Sequence, residues 1–201
     1  MIALLQSLRV MIAEDEFLVL MATKSYVESL GHEVVGVATD GEKAVELALE
    51  KKPDLVIMDI NMPNLDGIDA IKEINKTLFI PSIIVSGYHD EQLINRATEE
   101  GVLYYLLKPI DIEELKIAIN ISLAKFEEFK KLQEELQSTK NALEARKYIE
   151  KAKGIMMERM NLKEPEAMKR LQKMSRDKNK KLVVIAKELI EADSLFHSDQ
   201  K

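Results

Sequence analysis

The chain has 201 residues, with 29 Lys plus Arg against 35 Asp plus Glu, a net charge of −6 that excludes a uniformly basic nucleic-acid binder. An apolar content of 46% is enough to build a core, and no apolar run approaches the ~18 residues of a membrane span. There is no cysteine, which removes disulfides, thiolate chemistry and Cys-based metal sites and fits a cytoplasmic protein. His32, His89 and His197 are scattered and make no metal-ligand spacing, and residues 1–6 lack the basic start and small-residue cleavage site of a signal peptide.

Five short apolar runs come first: Val10-Met11-Ile12-Ala13, Val34-Val35-Gly36-Val37, Leu55-Val56-Ile57-Met58, Ile83-Ile84-Val85 and Leu103-Tyr104-Tyr105-Leu106-Leu107. They are continuous rather than alternating, as strands buried on both faces of a parallel sheet require. Amphipathic stretches near 16–30, 42–51, 66–76 and 90–100 separate them, with breakers at Gly31, Gly41, Pro53, Gly67, Pro81 and Gly101. The expected fold is α/β: a five-stranded, parallel, doubly wound sheet of flavodoxin-like type.

Residues 111–153 then contain no Gly or Pro. A helix over this stretch would be about 65 Å long at 1.5 Å per residue. One heptad position reads Leu115, Ser122, Phe129, Leu136, Leu143, and the other Ile119, Phe126, Gln133, Lys140, Lys147. A long coiled-coil linker over 112–150 follows, with Leu115, Ile119, Phe126, Phe129 and Leu136 as the dimerisation stripe. Beyond Gly154, Glu164-Pro165-Glu166 forms a first helical turn, and Asp177 and Asn179 are candidate caps for a last helix carrying Leu182, Ile185, Ala186 and Leu189. Met156, Met157, Met160, Met168 and Met174 fit gap-filling core positions of a small C-terminal three-helix bundle.

Charge divides along the same line. Residues 1–140 carry net −11 and residues 141–201 net +5, with +7 concentrated in residues 144–181. Two modules with different partners are indicated, the second suited to an anion.

In open α/β sheets ligands bind beyond the carboxyl ends of the strands. Those ends carry Glu14 and Asp15 after the first strand, Asp59 after the third, Ser86 after the fourth and Lys108 after the fifth. Acids gathered at one rim repel each other, and a hard divalent cation such as Mg²⁺ cures that repulsion. Each residue alone has a plainer role as a cap or turn former; the five together point to a site.

The runs Val10-Met11-Ile12-Ala13-Glu14-Asp15-Glu16, Asp54-Leu55-Val56-Ile57-Met58-Asp59-Ile60-Asn61-Met62-Pro63 with Asp66-Gly67, Val85-Ser86-Gly87 and Tyr105-Leu106-Leu107-Lys108-Pro109 resemble the receiver domain of two-component response regulators, over residues 8–123. The resemblance implies phosphorylation on Asp59 and Mg²⁺ held by Asp15, Asp59 and the Asn61 carbonyl, with Glu14 assisting through water. It further implies that Lys108 pairs with the phosphoryl group, that Ser86 and Tyr105 form a switch couple, and that a cognate sensor histidine kinase is the donor. Glu14 departs from the commoner Asp.

The C-terminal run Arg146-Lys147-Tyr148-Ile149-Glu150-Lys151-Ala152-Lys153-Gly154, continuing through Ala167, Leu171, Ser175-Arg176-Asp177-Lys178-Asn179-Lys180-Lys181-Leu182 and Ala186, resembles the ANTAR domain over residues 141–193. That resemblance implies binding of RNA hairpins in a leader transcript, as a homodimer promoted by phosphorylation, and antitermination of transcription. Candidate RNA contacts are Lys147, Lys151, Lys153, Arg176, Lys178, Asn179, Lys180 and Lys181, with Tyr148 as a stacking ring; each alone is equally well a solvated side chain. Lys163 stands where the family often has a small capping hydroxyl. A DNA-binding or protein-interaction output remains the alternative, and no helix-turn-helix turn is recognisable. Nothing signals a substrate pocket beside Asp59, so the chain is not expected to be an enzyme.

Overall fold

The computed structural model describes residues 7–87 and 90–198, so the stretch 1–6 tested above for a leader lies outside the described residues. The chain divides into two compact units, Met1–Lys130 and Lys131–Lys201.

In the first unit five parallel strands, β1 (Arg9–Ala13), β2 (Glu33–Ala38), β3 (Leu55–Asp59), β4 (Ser82–Ser86) and β5 (Tyr104–Leu107), stand in the order β2-β1-β3-β4-β5. This is the doubly wound flavodoxin-like order. Between them run α1 (Phe17–Ser29), α2 (Gly41–Lys51), α3 (Gly67–Asn75) and α4 (Glu91–Glu99). Strand side chains alternate between faces, so each apolar run feeds two cores. Met11, Ala13, Val56, Met58 and Ile84 enter one, with Ala44, Ala48, Ile68, Ile71 and Ala97 from α2, α3 and α4. Val10, Ile12, Leu55, Ile57, Ile83 and Val85 enter the other, with Leu20 and Val27 of α1. Each fully buried Ile or Val contributes about 1.5–3 kcal/mol to this packing. Aspartates start the helices: Asp40, Asp66 and Asp90 accept backbone N–H bonds at the N-termini of α2, α3 and α4.

The last helix of this series, α5 (Ile112–Met160), starts with the Glu114 N–H donating to Asp111 at 2.8 Å and passes from the first unit into the second. It runs through Gly154, and Asn161 at φ +50° follows its end. Part of the heptad reading needs correction. Leu115 and Ile119 are buried in the first unit's own core, and Ser122 is buried beside them, so these positions are closed to a partner chain. The same period of apolar residues serves a coiled coil and a helix laid on a sheet, and here the sheet takes it. Phe126 and Phe129 pack on Phe79, with ring centroids 5.5 and 4.9 Å apart. Leu136 is exposed, as are Leu132 and Leu143.

The second unit joins the end of α5 to α6 (Glu164–Asp177) and α7 (Leu182–Ser198). Its core is Ala152, Met156, Ala167, Leu171, Ile185 and Ala186, lined by Ile149, Met174, Leu182 and Leu189. Met157 and Met160 are exposed rather than core, because only the face of α5 centred on Ala152 and Met156 turns inward. Asp177 and Asn179 do not cap α7: Asp177 closes α6, and Asn179, at φ +51°, reverses the chain after it. At the start of α6 the Glu166 carboxylate accepts the Lys163 N–H at 2.9 Å, while Lys163, lacking an acceptor, cannot return the bond.

Candidate functional site

Parallel strands with right-handed crossovers bring the ends of β1, β3, β4 and β5 to one rim, and the predicted residues meet there. Ligand atoms of Glu14, Asp15 and Asp59 all lie within 4.8 Å of one another. Glu14 and Asp59 are buried, each 3% exposed, whereas Asp15 is exposed. Lys108, just past β5, places Nζ 2.9 Å from Glu14 and 2.8 Å from Asp59, with Glu16 at 3.3 Å. Glu16, which was not singled out from the sequence, belongs to this cluster.

The electrostatics follow from burial. Desolvation, reinforced by the neighbouring Asp59 charge, raises the Glu14 carboxyl to about 6 against the pull of Lys108. Desolvation also opposes the Lys108 charge, but the hydrogen bonds its ammonium donates to Asp59 and Glu14 outweigh it and hold the pKa well above its ordinary value. One ammonium cannot neutralise three clustered carboxylates. The uncompensated negative charge, on oxygen ligands, suits a hard divalent cation of the Mg²⁺ class.

The loop after Asp59 is held by close packing. The Asn61 N–H donates to Asp59 Oδ1 at 3.4 Å, and Gly67 N–H donates to the Ile60 carbonyl at 2.9 Å. A Cβ at Gly67 would lie 1.9 Å from the Asp59 carbonyl oxygen, and one at Gly41 2.0 Å from that of Leu65. Asp66 accepts the Ile68 and Asp69 N–H groups, and Arg96 of α4 reaches Asp66 at 2.9 Å and Asp69 at 2.6 Å. Arg96 gave no signal in the sequence, since an arginine on a helix face is ordinary.

Ser86, fully buried at the end of β4, accepts the Lys108 N–H on its carbonyl at 2.8 Å. Tyr105 is half-buried on β5 and pairs in register with Ile84. Ile84 and Ser86 share a strand parity, so Ser86 and Tyr105 stand on one face of the sheet, two register positions apart.

In the second unit the basic candidates separate. Lys153 is buried, with Nζ 2.8 Å from Glu150 and 2.7 Å from Glu164; these two hydrogen bonds raise its pKa and tie α5 to the first turn of α6. It is a structural ion pair, which corrects its place among exposed RNA contacts. Lys178 (3.5 Å) and Lys180 converge on Glu188. Lys187 sits 4.5 Å over the Tyr148 ring, so one ring face is covered. Lys147, Lys151, Arg176, Asn179 and Lys181 are exposed.

Comparison with known proteins places both halves. The response regulator receiver domain matches residues 10–120 and the ANTAR domain residues 137–190. The transcriptional regulatory protein PdtaR of Mycobacterium tuberculosis is 39% identical over 183 residues, covering 91% of this chain and 89% of that protein. The chemotaxis protein CheY of Thermotoga maritima is 40% identical over 113 residues, 56% of this chain and 94% of CheY. Among solved structures, the response regulator domain of Thermotoga maritima CheB superposes with a TM-score of 0.52 at 35% identity, covering 61% of this chain and 96% of that domain.

Proposed function

Because this chain belongs to the response regulators that join a receiver domain to an ANTAR domain, we propose that it accepts a phosphoryl group on Asp59 and, so modified, binds RNA hairpins to antiterminate transcription. The observation that carries the acceptor assignment is Lys108 Nζ held 2.8 Å from the buried Asp59 carboxylate, beside Glu14 and Asp15. An Asp59 oxygen attacks phosphorus, the bond to the donor's leaving group breaks, and an aspartyl phosphate remains. Glu14, Asp15 and Asp59 with the Asn61 carbonyl would hold Mg²⁺, which supplies neutralisation and alignment of the phosphoryl oxygens. Lys108 then exchanges its carboxylate partners for a phosphoryl oxygen. The donor is a cognate sensor histidine kinase.

The new anion is read locally. Ser86 lies on the strand beside β5, its carbonyl bonded to the Lys108 N–H, so a hydroxyl shift toward the phosphoryl group lets Tyr105 turn on the shared sheet face. Tyr105 precedes α5 in the chain, and α5 carries the signal into the second unit. Exposed Leu132, Leu136 and Leu143 support pairing with a second copy there, in a homodimer that phosphorylation promotes. The +7 stretch of residues 144–181 supports an anionic partner, and splayed hairpin bases with their phosphates suit a basic helical surface.

The test is intact-mass measurement after incubation with acetyl phosphate and Mg²⁺. One phosphoryl group is expected on the wild type, none on Asp59→Ala and almost none on Asp15→Ala. Normal phosphorylation of Asp59→Ala would overturn the assignment.

A further inference from the structure

The cations of the second unit differ in what already faces them. Lys153 is taken by Glu150 and Glu164, Lys178 and Lys180 share Glu188, and Arg159 pairs with Asp193 at 3.0 Å. The outward face of α6 is different. Ala167 and Leu171 of this helix are fully buried, and Lys169, Lys173 and Arg176 fall at i, i+4 and i+7 on the opposite side. All three are exposed, and no acidic side chain pairs with any of them among the described residues. The acids of the first turn are engaged elsewhere, Glu164 with Lys153 and Glu166 with the Lys163 N–H. The stripe therefore spans about 10 Å of helix at 1.5 Å per residue, and its nearest acids along α6, Glu166 and Asp177, form no ion pair with it among the described residues.

We infer that the Lys169–Lys173–Arg176 face of α6 is the surface that contacts the phosphate backbone of RNA, in preference to the loop lysines Lys178 and Lys180. This rests on the RNA-binding reading above and goes beyond it by naming the face. A cation already paired to Glu188 must give up that partner to meet a phosphate, so it releases less counterion from the RNA. An unpaired cation gives its full electrostatic gain. A polyanion is the partner that a row of like charges on one helix face complements.

The test uses the full-length chain with Mg²⁺ and acetyl phosphate, titrated into a fluorescent RNA hairpin with a randomised loop, at 50 to 200 mM salt. One variant combines Lys169→Gln, Lys173→Gln and Arg176→Gln; the other combines Lys178→Gln and Lys180→Gln. Gln keeps helix propensity, and circular dichroism checks that α6 persists. At about 0.7 per phosphate contact, the stripe variant is expected to flatten the slope of log affinity against log salt by about 2. Its deficit relative to wild type then shrinks roughly fifteen-fold between 50 and 200 mM salt. The loop variant is expected to change the slope by less than 1. Wild-type slope in the stripe variant, or lost affinity with an unchanged slope, overturns the assignment of the face while RNA binding stands. No hairpin binding by the wild type at 50 mM salt overturns both.

Discussion

Gly67→Ala tests whether packing behind the acceptor loop sets both stability and chemistry. The added Cβ would meet the Asp59 carbonyl oxygen at 1.9 Å, its carbon at 2.9 Å and Met58 Cγ at 3.0 Å. An ordinary contact needs about 3.5 Å, so β3 and the first turn of α3 must part by more than 1 Å. Helix propensity favours Ala over Gly by about 1 kcal/mol. Overpacking against backbone costs about 1–3 kcal/mol, and this contact lies at the severe end, so destabilisation of about 1–2 kcal/mol is the expected balance. At a urea m-value near 2 kcal/mol per molar, the unfolding midpoint falls by roughly 0.5–1 M. Because the displaced strand end carries Asp59, the acetyl phosphate labelling rate falls as well, on the order of a hundredfold for a 1 Å misplacement. Gly154→Ala is the control. It sits inside α5, and a Cβ there meets nothing within 4 Å, so it is expected to stabilise by about 0.5–1 kcal/mol. A Gly67→Ala chain with unchanged midpoint and labelling rate would refute the close-packing account.

Ser122 Oγ is buried without a hydrogen-bond partner, so Ser122→Ala is expected to leave stability in urea unfolding unchanged or raise it by up to about 1 kcal/mol; a loss of stability would mean the hydroxyl has a partner. Leu132→Lys with Leu136→Lys replaces two exposed leucines of α5 and is expected to weaken self-association of the phosphorylated chain in light scattering while labelling continues; an unchanged mass sinks the seam. His32 is 8% exposed, accepts the Leu8 N–H at 3.4 Å, and is held below its ordinary pKa by burial. The folded chain therefore binds fewer protons there than the unfolded one, so stability present above about pH 6.5 is lost as pH falls through the lowered folded value. The urea midpoint should drop more between pH 8 and 5 for the wild type than for His32→Gln; equal drops would remove His32 from the account. Glu14, raised to about 6, acts with the opposite sign in both chains, and the difference between them isolates the histidine.

The receiver was legible because its constraints are local in sequence. Two-sided burial writes itself as continuous apolar runs, and the chemistry follows each run immediately, at Glu14, Asp15, Asp59, Ser86 and Lys108. What the sequence hid there is contact at a distance. Arg96 reaches Asp66 and Asp69 from another helix, and Gly67 is needed because the Asp59 carbonyl approaches it; neither shows in a periodicity. The heptad over residues 115–122 misled for a physical reason. A 3.5-residue repeat and the core face of a sheet-packed helix place apolar residues almost identically, and only Leu20, Val27 and the strand residues around Leu115 and Ile119 decide between them.

In the second unit, composition located the charge but not its availability. A lysine count treats Lys153, Lys178 and Lys169 alike. Folding does not: Lys153 lies between two carboxylates, Lys178 shares Glu188 with Lys180, and Lys169 faces solvent with no ion-pair partner among the described residues. Ion pairing inside a small bundle thus subtracts cations from the surface an anion can use. It leaves an unpaired row on α6, which a count over residues 144–181 spreads evenly along the chain. The affinity of such a module for RNA depends on that remainder, so its salt dependence should follow the unpaired residues and not the net charge of +7.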